Sequence, residues 1–277
     1  MDNLYRLTAF PKTSTGGNKA GVYLYADNLA EKQMQAIAHD VGYSETAFVM
    51  KSKLADFKVR FFTPFFEVDL CGHATIATFN LLRELKIVTI GSYTQETKAG
   101  ILKLDVEEDM VFMQQVKPKF DQIIPLVEIQ ECFADIEFNN KFSPQVVSTG
   151  LREIFIPIKN IDILNNMNPN MDSIKRLSSK YNVIGMHAFA LDTINNDVDA
   201  YGRNFVPIVG INEESATGTS NGALGCYLHQ YFQKKEKYIL RQGYNLNQPS
   251  EIITKISAQA GQINEVWVGG TAYIIEK

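Results

Sequence analysis

The chain has 277 residues, 45% apolar and 21% charged, and a net charge of −4 from 27 basic and 31 acidic residues. Those proportions supply a sizeable core for one large or two medium domains and exclude a disordered chain. No basic block argues for nucleic acid or an anionic membrane, and no apolar run nears the roughly 18 residues of a membrane span.

The first segment, "YRLTAF", reads as a strand, and "AGVYLYA" (Ala20–Ala26) as a second, with Asn18 in the "STGGNK" loop between them. "NLAEKQMQAIAHDVG" keeps helical apolar spacing at Leu29, Met34, Ile37, Ala38 and Val41. Asn28 and Glu31 suggest a capping box, and Gly42 a C-terminal stop. "YSETAFVM" and "DFKVRFFTP" follow as strands, the second with Phe57, Val59 and Phe61 on one face. His73 to Leu85 reads as a helix that is apolar almost all round, which predicts a buried, central element.

Thr89 to Gln115 is strand-like, with turns expected at Gly91 and Gly100. After a polar stretch, "PQVVSTGLREIFIPI" resumes the strand pattern, and "MDSIKRLSSKY" reads as a surface helix. "HAFALDT" and "VDAYGRNFVP" are strands. In "EESATGTSNGALGCYLHQYF", an acidic residue and small residues again precede a mostly apolar helix. Aligning Cys71-Gly72-His73 with Thr217-Gly218-Thr219 brings Ile76–Leu82 opposite Gly222–Leu228. The order strand, strand, helix, strand, strand, central helix is thereby repeated after about 140 residues. Two similar halves are expected: residues 1–120, with 265–277 returning as a last strand, and 121–264.

The chemistry concentrates at those two helix starts. A helix N-terminus leaves N–H groups without partners and carries partial positive charge. Small residues at Gly72 and Gly218, with Thr219 and Ser220 beside the second, let a carboxylate or a developing enolate approach. The competing reading is a pair of ordinary capped core helices. Glu45, before the apolar run Ala47–Met50, suits a desolvated general base, or equally a solvated glutamate at a helix–strand junction. His73 can exchange a proton near neutral pH or simply sit at the core edge. Glu67, Asp69, Glu213 and Glu214 are further acid/base candidates, with Glu67 and Glu213 as readily surface charge.

Cys71, Cys132 and Cys226 are odd in number, far apart and without a C-x-x-C pair. They indicate neither a disulfide framework nor a zinc ribbon, and fit a reduced, cytoplasmic setting. Cys71 and His73 alone do not make a metal site, and His39, His187 and His229 are scattered. There is no G-x-G-x-x-G, Walker loop or H-E-x-x-H, so no cofactor is signalled.

Seven stretches carry a resemblance: "GGNKAGVYL", "MQAIAHDVGYSETAFV", "VRFFTPFFEVDLCGHATIAT", "VVSTGLREI", "YGRNFVP", "ESATGTSNGALGCYL" and "VWVGG". Over nearly its whole length the chain resembles the phenazine biosynthesis PhzF-like family, which shares the diaminopimelate epimerase fold. The resemblance implies an α+β protein of two similar halves, each an antiparallel sheet curled around a central helix, with a cleft between them. It also implies a cofactor-free isomerase that moves a proton on a small carboxylic acid, and a homodimer. The family's catalytic glutamate falls on Glu45, its histidine on His73, its aspartate on Glu214 and its serine on Thr219. Asn18, Ser44, Gly72, Gly218, Thr219 and Ser220 are then expected to bind substrate. Glu214 is one methylene longer than the family's aspartate, and Thr219 adds a methyl group.

Epimerase relatives place a second cysteine where this chain has Thr217, whose hydroxyl is too weak an acid to replace a thiol. Two rivals remain: an amino-acid epimerase or racemase using Cys71 with another base, and a non-catalytic small-acid binding protein.

Overall fold

The computed structural model describes residues 3–133, 136–192 and 197–277. Thr193, the last residue of the expected "HAFALDT" strand, lies outside the described residues. The chain divides into two compact units, residues 1–114 with 269–277, and 115–268.

The first unit opens with β1 (Leu4–Ala9), β2 (Asn18–Tyr23), α1 (Glu31–Val41), β3 (Glu45–Met50), β4 (Phe57–Phe62), β5 (Glu67–Val68) and α2 (Gly72–Glu84). It continues with β6 (Gly91–Thr97), β7 (Gly100–Val106) and β8 (Val111–Gln115). The second holds β9 (Lys119–Ile123), α3 (Leu126–Gln130), β10 (Gln145–Ser148), β11 (Arg152–Pro157), α4 (Ile161–Asn166), α5 (Met171–Tyr181), β12 (Gly185–Leu191) and β13 (Ala200–Val206). It then runs through β14 (Ile211–Glu214), α6 (Gly218–Tyr231), β15 (Lys237–Gln242), β16 (Ser250–Gln259) and β17 (Gln262–Gly270), and β18 (Ala272–Glu276) ends the chain. No described helix is long and apolar enough to cross a membrane.

Within the first unit β1 pairs antiparallel with β2 and β18, β3 with β4, β4 with β5, and β6 with β7. Two joins are parallel, β2–β3 and β4–β6. Each spans a helix, α1 or α2, because parallel neighbours need a crossover. The second unit repeats the plan: β9–β10, β10–β11, β12–β13, β13–β14 and β15–β16 antiparallel, β11–β12 and β13–β15 parallel.

The registers fix which residues correspond. Arg60 pairs with Glu67 and lies over the Phe62 ring at 5.1 Å; Arg203 pairs with Glu213 and lies over Phe205 at 5.1 Å. Phe62 faces Thr46 and Phe205 faces Met186, so Thr46 corresponds to Met186, and Ala47 to His187.

The central strands β3 and β12 are buried on both faces. In the first unit α1 packs Met34, Ile37, Ala38 and Val41 on Leu4, Phe48 and Phe62. The buried run from His73 to Leu82 makes α2 the central helix, one residue earlier at each end than expected. In the second unit α6 buries Ala223, Leu224, Cys226, Tyr227 and Leu228 against Val147, Phe155, Phe189 and Leu240, while α4 and α5 close the other side with Leu164, Ile174 and Leu177. Cys226 packs in that core, and burial pushes its thiol up to about 12.

Several sequence expectations are corrected. The second strand is Asn18–Tyr23, so Asn18 begins the strand instead of riding the loop, and Tyr25 is left-handed at φ 58°. Asn28 ends a short 3-10 turn and caps nothing; the N-cap of α1 is Ala30, whose N–H donates to Gln33 Oε1 at 2.8 Å. Half a capping box forms, because alanine has no acceptor to complete it. Gly42 does end α1, at φ 69° with its N–H on Ala38 O. Gly91 starts β6 instead of forming a turn. The polar stretch before "PQVV" contains β9 and α3.

Candidate functional site

In the first unit three element starts converge. Asn18 is the first residue of β2, Glu45 the first of β3, and Cys71-Gly72-His73 opens α2. Asn18, Cys71 and His73 are buried, and Ser44 and Glu45 are half-buried. The imidazole is the hub. Its Nε2 lies 3.3 Å from Glu45 Oε2 and 3.3 Å from Ser44 Oγ. Its Nδ1 lies 3.4 Å from Cys71 Sγ and 3.4 Å from Asn18 Nδ2. The thiol also lies 3.9 Å from Nε2, so thiol, imidazole and carboxylate form one close cluster. Glu45 Oε2 is buried and makes no well-directed hydrogen bond.

Cys71 is the N-cap of α2, its side chain makes no capping bond, and the first turn holds no acidic residue. The helix start keeps its positive end. Too few ligands near Cys71 and His73 was the sequence argument against a metal; folding brings in Glu45, and the three donor atoms lie within 4.8 Å of one another.

Glu67 does not join this group. Arg60 donates to it from Nε at 2.7 Å and from a terminal nitrogen at 2.8 Å, and Lys98 is a second partner. The bond from Arg60 holds its carboxyl below the ordinary carboxylate range, against the opposing pull of burial. Glu213 is tied in the same way to Arg203, at 2.9 and 2.8 Å. Both are structural ion pairs, not surface charge.

In the second unit Glu214 ends β14, and its Oε2 accepts from Thr217 Oγ1 at 2.7 Å. Thr217 is the N-cap of α6, again without a side-chain capping bond. Gln242 clamps this corner: Nε2 donates to Glu214 O at 2.7 Å and to Thr217 Oγ1 at 3.1 Å, while Oε1 accepts from Asn221 Nδ2 at 2.7 Å. Gly218 is buried and Thr219 half-buried, with Thr219 O accepting from Thr149 Oγ1 at 3.1 Å. Ser220 is buried, its hydroxyl turned to Asn204 Nδ2 at 3.3 Å.

Sequence reasoning did not single out Gln242, Asn204 or Glu153. For Gln242 the signal was a glutamine on the strand after each central helix; Asn204 and Glu153 have apolar counterparts in the first unit and left none. Gln95 Nε2 reaches Thr75 on α2 at 3.2 Å, as Gln242 reaches Asn221 on α6.

The family described as phenazine biosynthesis-like protein, PhzC-PhzF, matches residues 7–277. The chain is 35% identical to an uncharacterized isomerase of Clostridium acetobutylicum, over 99% of this chain and 96% of the relative. It is 26% identical to the trans-2,3-dihydro-3-hydroxyanthranilate isomerase of Pseudomonas fluorescens, over 98% and 96%. A PhzF-family crystal structure from Bacillus anthracis superposes with a TM-score of 0.90 at 31% identity, covering 99% of this chain and 97% of that one. The chain belongs to the phenazine biosynthesis-like PhzC-PhzF family and is an isomerase.

Proposed function

We propose that the isomerase moves a proton on a small carboxylic acid, with Glu45 as general acid/base and His73 orienting the substrate or relaying a proton. One observation carries this reading: Glu45 Oε2 is buried, 3.3 Å from His73 Nε2, beside a helix start with no side-chain cap. A carboxylate drawn from water next to an imidazole is suited to proton transfer at carbon. The N–H groups of Gly72 and His73 would hold the substrate carboxylate and charge that develops on it. Asn18 and Ser44, each against one imidazole nitrogen, fix the ring.

The proposal extends to Glu214 as a further catalytic group, with Gly218, Thr219 and Ser220 as substrate-binding residues. The Pseudomonas fluorescens relative makes trans-2,3-dihydro-3-hydroxyanthranilate the first compound to offer. Turnover is followed by NMR in deuterated water, where carbon-bound protons are replaced. Glu45→Gln should keep fold and binding and lose exchange; full activity in that variant sinks the assignment. A homodimer, expected from the resemblance, is tested by light scattering.

A second reading has its own observation. Cys71 Sγ lies 3.4 Å from His73 Nδ1 and 3.9 Å from Nε2, in the same cluster as the Glu45 carboxylate. An epimerase using Cys71 would exchange the α-proton of an amino acid and lose that exchange in Cys71→Ser.

A further inference from the structure

The second unit buries a polar cluster that the first unit lacks. Glu153, on β11, and His187, on β12, are essentially inaccessible, at 1% and 0% exposure, and Asn204 on β13 is likewise buried. The Asn204 amide joins them: Nδ2 lies 3.1 Å from Glu153 Oε1, 3.2 Å from His187 Nδ1 and 3.3 Å from Ser220 Oγ. Three acceptors crowd one NH2 group, so the amide oxygen must turn the other way. It faces Thr217 Oγ1 at 3.4 Å, and the same hydroxyl lies 2.7 Å from Glu214 Oε2. A continuous polar path runs from the buried acid to the start of α6.

Among the described residues, no cation balances Glu153. Arg152, beside it in sequence, pairs with Asp121, and Arg203, beside Asn204, pairs with Glu213. The other titratable group facing the cluster is His187, whose Nε2 is buried without a partner against Gly202, where an added Cβ would come within 2.4 Å. Burial pushes the Glu153 carboxyl above the ordinary carboxylate range, against smaller opposing pulls from Ser220 and Asn204, and pushes His187 down to about 3. In both groups burial disfavours the charged form.

The repeated registers supply an internal control. Ala20 pairs with Glu45 as Glu153 pairs with Gly185, and Ala47 faces Phe61 as His187 faces Asn204. With Ala74 opposite Ser220 in the aligned helices, the first unit fills these four positions with Ala20, Ala47, Phe61 and Ala74, all buried and apolar. The fold therefore needs no polar group at this place, and a buried acid that the fold does not require is costly to keep.

We propose that the buried side chains of Glu153, Asn204, His187 and Ser220 form a positioning network that fixes the Thr217–Glu214 pair at the start of α6. Its effect on catalysis rests on the proposed role of Glu214; its existence does not. Glu153 is a positioning residue, since it acts through Asn204.

The test compares Glu153→Gln, which keeps an uncharged polar group, with Glu153→Met, which imitates the apolar filling of the first unit. Infrared spectra at neutral pH should show a protonated carboxyl band in the wild type that Glu153→Gln lacks. The amide resonances of Gly218, Thr219 and Ser220 should move in Glu153→Met and stay near wild type in Glu153→Gln. With trans-2,3-dihydro-3-hydroxyanthranilate as probe, kcat/KM should fall about tenfold in Glu153→Met and recover in Glu153→Gln, the size of one hydrogen bond's worth of positioning. A missing infrared band, or α6 resonances indifferent to Glu153→Met, overturns the network. Should Glu153→Met not fold, Ser220→Ala, matched to Ala74, must shift the carboxyl band; an unmoved band overturns it too. If the wild type turns over no acid, the functional reading fails while the spectra still decide the network.

Discussion

The two units share strand order, both parallel joins and an arginine–glutamate pair stacked on a phenylalanine, yet they place their polar groups in opposite layers. The first unit gathers thiol, imidazole and carboxylate around His73 at the helix start, with Ala20, Ala47, Phe61 and Ala74 beneath. The second unit has hydroxyls and an amide clamp at the helix start, and a buried acid, amide and imidazole beneath. A duplicated scaffold can thus carry titratable groups in different layers of its two copies. The first unit clusters them at its helix start, and the second holds a carboxylate against its hydroxyl partner there.

The largest effect expected is on turnover in the first unit. Glu45→Gln should lower kcat by about a thousandfold, the scale of general-base catalysis, with the melting temperature unchanged. Glu214→Gln should cost less, if the second unit only holds substrate. Equal losses in kcat would give both units chemical roles and break the division.

The arginine pairs offer a sharper stability comparison. Arg203 is 9% exposed on its side chain and also donates to Leu164 O and Met167 O, at 3.1 and 2.9 Å; Arg60 is 19% exposed. Breaking a buried pair by removing one partner costs about 3 kcal/mol or more, and an exposed pair about 1 kcal/mol or less. Urea unfolding should show Arg203→Met losing about 3 kcal/mol and Arg60→Met distinctly less. Equal losses would mean that the burial difference has no consequence.

The smallest effect near neutrality is a dependence on pH. His187 is depressed in the fold to about 3 from an ordinary 6.5, so below pH 6.5 the unfolded chain binds a proton that the folded chain refuses. Stability therefore falls as pH drops from 6.5 towards 3, at up to 1.36 kcal/mol per unit. Glu153 has the opposite sign: its raised carboxyl favours folding below the ordinary carboxylate value, and that contribution is lost as pH rises. Urea midpoints across this range should decline less steeply in His187→Gln. An unchanged slope would show that His187 titrates normally in the fold.

Much of this was legible in the sequence. The apolar runs after His73 and Gly218 announced two buried helices, because a helix apolar all round has nowhere to go but a core. Glu45 and His73 were legible as candidates, though nothing in their 28-residue separation showed that they meet. Asn28 suggested a cap that Ala30 occupies, since local propensity yields to where the chain turns after Tyr25. Glu67 and Glu213 read as acid/base candidates or surface charge alike, because their arginine partners approach across a strand pair.

The sequence by itself determined the duplicated order of elements, the two central helices and the residue types at their starts. These follow from short-range periodicity, which a chain carries locally. Only the tertiary structure decided that Glu45, Cys71 and His73 share one place, and that Glu153, His187 and Asn204 form a sealed layer under α6. Parallel joins bring distant strands into register, and charge or neutrality depends on the burial that results. A glutamate before "IFIPI" and a histidine before "AFAL" look ordinary in the chain; enclosed by two sheet neighbours and a helix, each has its charged form disfavoured by burial.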